Sequence, residues 1–269
     1  MSVSSTARGF DSLAPDYDED FGDNPVGHWM RERTWQRMDA CFAPSSRILE
    51  VGCGTGIDMA RLAGQGHRLT AVDISPAMVE ASRAKATALG CEHPPELLCA
   101  DLSRGSLPEA VSGAVPFDGL LSNFGALNCV CDLPALVERL HGLLRPGAPF
   151  LACVMTRPCP WEQFYYLLRL KPAVAFRRHR RDGVVAVIDG HGVHTYYESA
   201  AGYTRIFSQH FRVERRTALG LLVPPPYLHG LAERWPKLFR LAARAESLLA
   251  HRWPFQLVGD HVLFEMTAR

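Results

Sequence analysis

The stretch Ile48-Leu49-Glu50-Val51-Gly52-Cys53-Gly54-Thr55-Gly56-Ile57 constrains this chain more than any other part of it. A β-branched, apolar run closes on an acid and then sets three glycines on alternate positions. Asp58, Met59, Ala60, Leu62 and Ala63 follow at helical spacing. The pattern predicts a buried strand, a tight turn and a helix. Glycine gives the turn access to positive φ and lets a ligand lie against bare backbone. The helix then points unpaired N–H groups and its positive dipole end into the same space. A small ligand is expected there.

The glycine spacing and the next strand narrow the ligand. A dinucleotide fingerprint needs Gly-x-Gly-x-x-Gly, with the helix end facing a pyrophosphate. Here Ile57 stands where the third glycine of that fingerprint belongs. Arg68-Leu69-Thr70-Ala71-Val72-Asp73-Ile74-Ser75 reads as a second buried strand ending in an acid, with a helix opening at Pro76. A carboxylate at that strand end accepts both hydroxyls of a ribose, so Asp73 suits an adenosine. Glu50 would repel a pyrophosphate and suits a ligand that carries an ammonium group.

An acid before Gly-x-Gly-x-Gly, with Asp ending the next strand, resembles motif I and its successor in class I S-adenosylmethionine-dependent methyltransferases. Leu97-Leu98-Cys99-Ala100-Asp101-Leu102 resembles their third strand, Phe117-Asp118-Gly119-Leu120-Leu121-Ser122-Asn123-Phe124 their fourth, and Leu143-Leu144-Arg145-Pro146-Gly147 the turn into their fifth. The resemblance covers roughly residues 45–155, and beyond them it is one of general layout. It implies a three-layer, Rossmann-like α/β fold: a seven-stranded, mostly parallel sheet with a substrate-binding lid insertion. It implies S-adenosyl-L-methionine as cofactor, with Glu50 orienting the methionine amine and Gly52, Gly54 and Gly56 giving close backbone approach. Asp73, with Ile74 beside it, would hold the ribose, and Asp101 with Leu102 would recognise the adenine. Asn123 and Phe124 would lie by the reacting methyl. Tyr17, in the Ala-x-x-Tyr-Asp element at Ala14, would reach the methionine end, or else pack as an ordinary aromatic.

Composition adds exclusions. Lys and Arg total 29 against 28 Asp and Glu, a net charge of +1, which argues against nucleic acid as a partner. Residues 1–23 are polar and acidic, and no stretch approaches the ~18 apolar residues of a membrane span, so a cytoplasmic protein without integral membrane contact is expected. Its oligomeric state, monomer or homodimer, stays open. The eight cysteines read as reduced thiols, and Cys129-Val130-Cys131 lacks partners at zinc spacing, so no metal is expected.

The expected organisation is an N-terminal helical segment over the active site (1–44) and a methyltransferase core (45–269). Residues 1–10 read as unstructured, and a helix is expected around 27–42, with His28 and Trp29 lining the substrate mouth. The rule that ligands lie beyond the carboxyl ends of parallel strands puts Glu50, Asp73, Asp101 and Asn123 on one rim. The lid insertion spans about 157–197 and includes two short strands around Asp189-Gly190-His191-Gly192. The run Arg177-Arg178-His179-Arg180-Arg181 reads as a solvated face. A covering helix (198–210) and strands at 211–217 and 258–266 complete the sheet. A helical insertion at about 222–255 carries Trp235, Leu238, Phe239, Leu241, Leu248 and Trp253 beside Arg234, Lys237, Arg240 and Arg244. Core packing with a basic solvated face is expected of it, a membrane surface being the alternative.

Methyl transfer from a sulfonium is an in-line displacement, so the protein mainly aligns the reactants and excludes water. A hydroxyl acceptor also calls for a base, and histidine suits neutral pH. His194 is the expected base, with Asn123 assisting and His191 and Tyr196 contacting the acceptor. A period of two sends His194 and Tyr196 to one strand face. Ser122-Asn123-Phe124-Gly125 lacks the Pro-Pro of enzymes that methylate exocyclic amino groups. The expectation is therefore methylation of a small, partly hydrophobic metabolite, with oxygen favoured over nitrogen or carbon. A non-catalytic S-adenosylmethionine-binding regulator and, further off, an NAD-dependent oxidoreductase are the alternatives.

Overall fold

Strand alternation assigns the faces of the sheet. In β1 (Arg47–Val51), Leu49 and Val51 join one apolar layer and Ile48 joins the other. In β5 (Pro149–Met155), Phe150, Ala152 and Val154 go one way, Leu151 and Cys153 the other. Both strands are buried on both faces, as parallel strands under two helical layers must be. The computed structural model describes residues 5–22, 24–104, 108–113, 116–180, 182–188 and 190–269. Asp189 and Arg181, which fall in the expected turn and the basic run, lie outside the described residues.

β2 (Arg68–Asp73), β3 (Glu96–Cys99) and β4 (Gly119–Ser122) join β1 and β5 in parallel. β6 (Val184–Ile188) and β7 (His191–Thr195) form a separate hairpin. β8 (Phe211–Leu219) and β9 (His261–Ala268) complete a seven-stranded sheet of order β3-β2-β1-β4-β5-β9-β8, β9 being antiparallel to both neighbours. The chain moves outward from β1 to β3 and then returns to β4 on the other side. The crevice for a ligand therefore opens beyond the carboxyl ends of β1 and β4.

Eleven helices are described. α1 (Ser5–Leu13) and α2 (Pro25–Cys41) precede the sheet, and α3 (Ile57–Gly64), α4 (Pro76–Leu89), α5 (Glu109–Ser112) and α6 (Leu133–His141) join the parallel strands. α7 (Pro160–Leu168) and α8 (Pro172–Ala175) follow β5, α9 (Ala200–Phe207) precedes β8, and α10 (His229–Arg234) and α11 (Pro236–Leu249) lie between β8 and β9. Side-chain caps set several starts: Asn24 Oδ1 accepts from Val26 N at 3.1 Å and Gly27 N at 2.8 Å, and Ser75 Oγ accepts from Met78 N at 3.1 Å.

Two expectations are corrected here. Within the stretch expected to be unstructured, α1 begins at Ser5; residues 1–4 lie outside the described residues. Local propensity is weak there, and tertiary contacts hold the helix. Gly9 lets it approach β7 so closely that a Cβ would come 2.5 Å from Val193 Cγ2. Ser5 Oγ donates to Gly192 O at 2.9 Å, and Asp11 Oδ1 accepts from Ser75 Oγ at 2.6 Å and Ala77 N at 3.1 Å. The second holds only in part: in α11 Phe239 packs on the core as expected, but Leu238, Leu241, Leu248 and the flanking tryptophans are exposed. Its inner face is instead formed by Ala243 and Glu246, and Glu246 accepts from the backbone N–H groups of Gly220, Leu222 and Val223 at 2.7–2.8 Å.

Candidate functional site

The glycine turn holds all three glycines at positive φ: 76° at Gly52, 54° at Gly54 and 82° at Gly56. Their surroundings differ. A Cβ on Gly52 would sit 2.1 Å from Ala126 Cβ, and one on Gly56 would sit 2.6 Å from Ser82 Oγ. A Cβ on Gly54 would meet only Tyr17, at 4.0 Å. Gly54 is thus the glycine that presents bare backbone to the crevice. Its N–H donates to Asp73 Oδ2 at 2.9 Å, while Ser75 N donates to Oδ1 at 2.9 Å. Burial raises the Asp73 carboxyl above its ordinary value, and these backbone donors work against the rise.

A cavity of about 720 Å³ extends from this turn along the rim, lined at one end by Asp73, Ile74, Met78, Asp101 and Leu102. Asp101 Oδ1 accepts from Ser103 N at 3.0 Å, fixing the loop after β3. Tyr17 and Phe21 pair above the turn with ring centroids 5.1 Å apart, and burial, the largest effect, pushes the Tyr17 phenol up to about 12. Tyr17 is therefore a protonated donor at neutral pH.

Beside the cavity, Glu50, Gly52, Gly54, Tyr17, Arg31, Asp58 and Phe124 enclose a small chamber. Glu50 is buried and its Oε2 has no hydrogen-bond partner. Burial first, and the Asp58 charge second, raise its carboxyl well above the ordinary range, with Arg31 opposing. Asp58 is, by contrast, saturated: it accepts from Arg31 Nη1 at 3.1 Å, Trp35 Nε1 at 2.7 Å and Asn123 Nδ2 at 2.8 Å. Arg31 Nε is buried without a partner. One unpaired carboxyl oxygen and one unpaired guanidinium N–H thus share the chamber. Asn123 Nδ2 also donates to Thr34 Oγ1 at 3.2 Å, so both amide hydrogens are committed within the protein. Its side chain braces Asp58 and has no free donor for catalysis. Phe124 follows at φ 48°, a left-handed conformation costly for a phenylalanine, which sets its ring on the rim.

The other end of the cavity is built by β9 and the insertions. The pairing Met155↔His261 places the start of β9 at the same rim as the end of β5. His261 is buried, lines the cavity and packs edge-on to Phe124 with centroids 5.9 Å apart. Its Nδ1 lies 2.9 Å from Asp260 Oδ2, a close contact without hydrogen-bond angles. Arg178 Nη2 lies 2.6 Å from both Asp260 Oδ1 and Glu162 Oε2. Burial alone would raise the Asp260 carboxyl, but His261 and Arg178 outweigh it and hold it below the ordinary carboxylate range. Arg178 is buried and Arg177 half-buried, against the reading of the run as a solvated face, whereas His179 and Arg180 are exposed as that reading expects. Cys159, Glu162 and Asp260 have ligand atoms within 4.8 Å of one another. Arg177 and Arg178 together already pair the two carboxylates, and burial pushes the Cys159 thiol up to about 12, which disfavours a thiolate ligand.

Of the other expected site residues, His194 and Tyr196 line the cavity, while His28, Trp29 and His191 do not. His194 stacks on Tyr196 with centroids 4.6 Å apart, and its Nε2 lies 2.7 Å from Asp182 O. A carbonyl only accepts, so Nε2 carries the proton and cannot receive one. His28 is exposed beside Glu32, and Trp29 packs beneath Arg33. Sequence reasoning missed Arg31, Asp58, His261 and Asp260. An acid in the first turn after the glycines was the available signal for Asp58. The adjacent Asp260-His261 at the head of the last strand was the signal for that pair. Arg31 left none.

Residues 48–147 match the model of a methyltransferase domain. A demethylmenaquinone methyltransferase of Renibacterium salmoninarum is 30% identical over 175 residues, covering 62% of this chain and 68% of that protein. The enzyme of the same name from Symbiobacterium thermophilum is 29% identical over 159 residues, 55% of this chain and 58% of that protein. The chain belongs to the class I S-adenosylmethionine-dependent methyltransferases. It spans little more than half of the Symbiobacterium methyltransferase and about two thirds of the Renibacterium one. Among solved structures, the cyclase SpnF superposes with a TM-score of 0.62 at 14% identity, over 100% of this chain and 97% of that one, which shows the fold alone. The chamber fits the methyltransferase cofactor. The methionine end of S-adenosylmethionine carries an ammonium and a carboxylate, the two charges that Glu50 Oε2 and Arg31 Nε lack. Gly54 leaves the space that the chain of that ligand needs.

Proposed function

We propose that the protein transfers a methyl group from S-adenosylmethionine to a hydroxyl of a small, partly apolar acceptor. The observation that carries this reading is the pair of unpartnered buried groups, Glu50 Oε2 and Arg31 Nε, beside the open Gly54 turn. When bound, the cofactor supplies a methyl group already activated on a sulfonium. Glu50 takes its ammonium and Arg31 its carboxylate. Asp73, flanked by Ile74, holds the ribose hydroxyls, and Asp101 and Leu102 border the adenine. Tyr17 and Phe124 wall the path between cofactor and acceptor and exclude water.

His261 is the general base. It faces the cavity, no protein group bonds its Nε2, and Asp260 backs its Nδ1. A carboxylate behind an imidazole orients the ring and stabilises its charged form as a proton arrives. His261 Nε2 would take the proton of an acceptor hydroxyl, and the bound cofactor would supply the methyl group and leave as the neutral thioether. His194, the base expected from sequence, offers no free Nε2 and serves with Tyr196 as cavity wall. Phe10, Phe124, Tyr197 and Tyr227 give the cavity an aromatic lining suited to a phenolic acceptor. α1 and the β6–β7 hairpin, packed on one another, form the lid over it.

Calorimetric titration with S-adenosylmethionine and S-adenosylhomocysteine tests the cofactor site. Micromolar-range binding by the wild type and its loss in Glu50→Gln are expected; absence of binding by the wild type would overturn the reading. Tritiated-methyl transfer to a panel of phenols then tests the chemistry. SpnF is a cyclase on this fold, so the fold alone does not specify methyl transfer. Tight cofactor binding with no labelled product from any acceptor would leave a non-catalytic binding protein.

A further inference from the structure

The helix between β8 and β9 carries an apolar face that nothing covers. Leu238 is 59% exposed, Leu241 64% and Leu248 65%, with Trp235 at 53% just before the helix and Trp253 at 78% just after it. At about 100° per residue, Leu238, Leu241, Ala245 and Leu248 share one arc of about 80°. Lys237, Arg240 and Arg244 fall on an adjoining arc of about 60°. The opposite side is fixed to the body by Glu246 on three backbone N–H groups and by Arg33 on Ser247. The exposed face is thus a rigid convex ridge and not a fraying helix.

Charge decides what covers it. Arg234, Lys237, Arg240, Arg244 and Arg252 are exposed, and none of them forms an ion pair among the described residues, Arg234 lying over the Trp235 ring. From 234 to 255 the single acid is Glu246, which is buried. Five free cations around exposed leucines and tryptophans ask for an anionic partner that also accepts apolar side chains. A second copy docking two-fold through this face would set basic arc beside basic arc. A convex ridge offers a protein partner no pocket to fill, whereas it presents its leucines to an acyl boundary and its cations to headgroups.

We infer that α11 and its flanking tryptophans dock the protein on the surface of a bilayer containing anionic lipid. No helix among the described residues is long and apolar enough to cross a membrane, so the attachment is peripheral. The segment before α10 also lines the cavity through Pro226 and Tyr227. α10 therefore joins the docked helix to a segment that lines the acceptor end. The inference stands on the surface chemistry and does not depend on the cofactor reading.

Flotation of the full chain with phosphatidylglycerol–phosphatidylcholine vesicles tests it, with pure phosphatidylcholine as control. The protein should float with the anionic vesicles, stay behind with the neutral ones and come off in several hundred millimolar salt. Tryptophan emission should shift to the blue on binding. Leu238→Gln/Leu241→Gln/Leu248→Gln should weaken binding by about tenfold or more, with melting temperature and cofactor affinity kept. Lys237→Gln/Arg240→Gln/Arg244→Gln should weaken it by about as much. No flotation with anionic vesicles would overturn the inference. So would undiminished binding by the leucine variant, or a wild-type dimer in sedimentation that the leucine variant dissociates.

Discussion

Both ends of the cavity bury charge, but they treat it in opposite ways. At the acceptor end, Glu162 and Asp260 share the Arg178 guanidinium, and nearby Glu246 is held by backbone donors. At the cofactor end, Glu50 keeps an oxygen, and Arg31 a nitrogen, with no partner at all. A satisfied buried network holds insertions in place, and breaking it leaves stranded charge. An unsatisfied buried charge costs the empty protein stability and marks where a ligand completes the structure. The same chemical group is therefore tied into the protein at one end and left without a partner at the other.

That contrast is most exposed at Arg178. Arg178→Met should strand Glu162 and Asp260 and destabilise the protein by about 3–5 kcal/mol in urea unfolding. A loss below about 1 kcal/mol would mean that the network is not structural, and the comparison would break at its stronger end. His261→Asn comes next. Turnover on a phenol accepted by the wild type should fall by about a hundredfold or more, with cofactor affinity unchanged. Retained turnover would remove the base from His261.

Glu50→Gln and Glu162→Gln make the same substitution at the two ends and should differ in sign. Without cofactor, Glu50→Gln should stabilise the protein by about 1–2 kcal/mol at neutral pH, and Glu162→Gln should destabilise it. Because the Glu50 carboxyl is raised above its ordinary 4.5 in the fold, the folded state holds a proton that the unfolded chain releases. That contribution is fully present below the ordinary carboxylate range and is lost as pH rises through the raised value. Wild-type stability should therefore fall, relative to Glu50→Gln, between weakly acidic and neutral pH, and saturating cofactor should erase the difference. Asp260 runs the other way: its carboxyl is lowered, so its contribution is present above the ordinary value and lost as pH falls through the lower one. Matched pH profiles for Glu50→Gln and Asp260→Asn would dissolve the distinction between the ends.

The two ends also differed in how far sequence revealed them. Glu50, Gly54, Asp73 and Asp101 each sit within a few positions of the strand that presents them, so local pattern was enough to put them along one rim and to give the mostly parallel sheet. Arg31 meets Asp58 across 27 positions and Arg178 meets Asp260 across 82, and no local pattern signals such convergence. His194 looked catalytic because it sat on an alternating strand near aromatics; the carbonyl of Asp182 that occupies its Nε2 lies 12 positions earlier, across the hairpin. α11 was misread for another reason. An apolar stripe tells that a helix is amphipathic, not which of its faces meets the body, and here Glu246 and small alanines took the inside.

The smallest effect tests the cofactor end most finely. Gly52, Gly54 and Gly56 all have positive φ, so alanine at any of them carries a left-handed penalty of about 1–2 kcal/mol. At Gly52 the new methyl would also strike Ala126 Cβ at 2.1 Å, and at Gly56 it would strike Ser82 Oγ at 2.6 Å. Those two variants report on packing. At Gly54 the methyl meets only Tyr17, at 4.0 Å, so Gly54→Ala should fold with its melting temperature lowered by only about 2–8 °C. Its methyl occupies the space that the structure leaves for a ligand, so calorimetry should show weakened cofactor binding out of proportion to that small loss of stability. If affinity is unchanged while the fold is intact, nothing lies against Gly54. The unpaired Glu50 and Arg31 would then need an occupant that enters the chamber from another side.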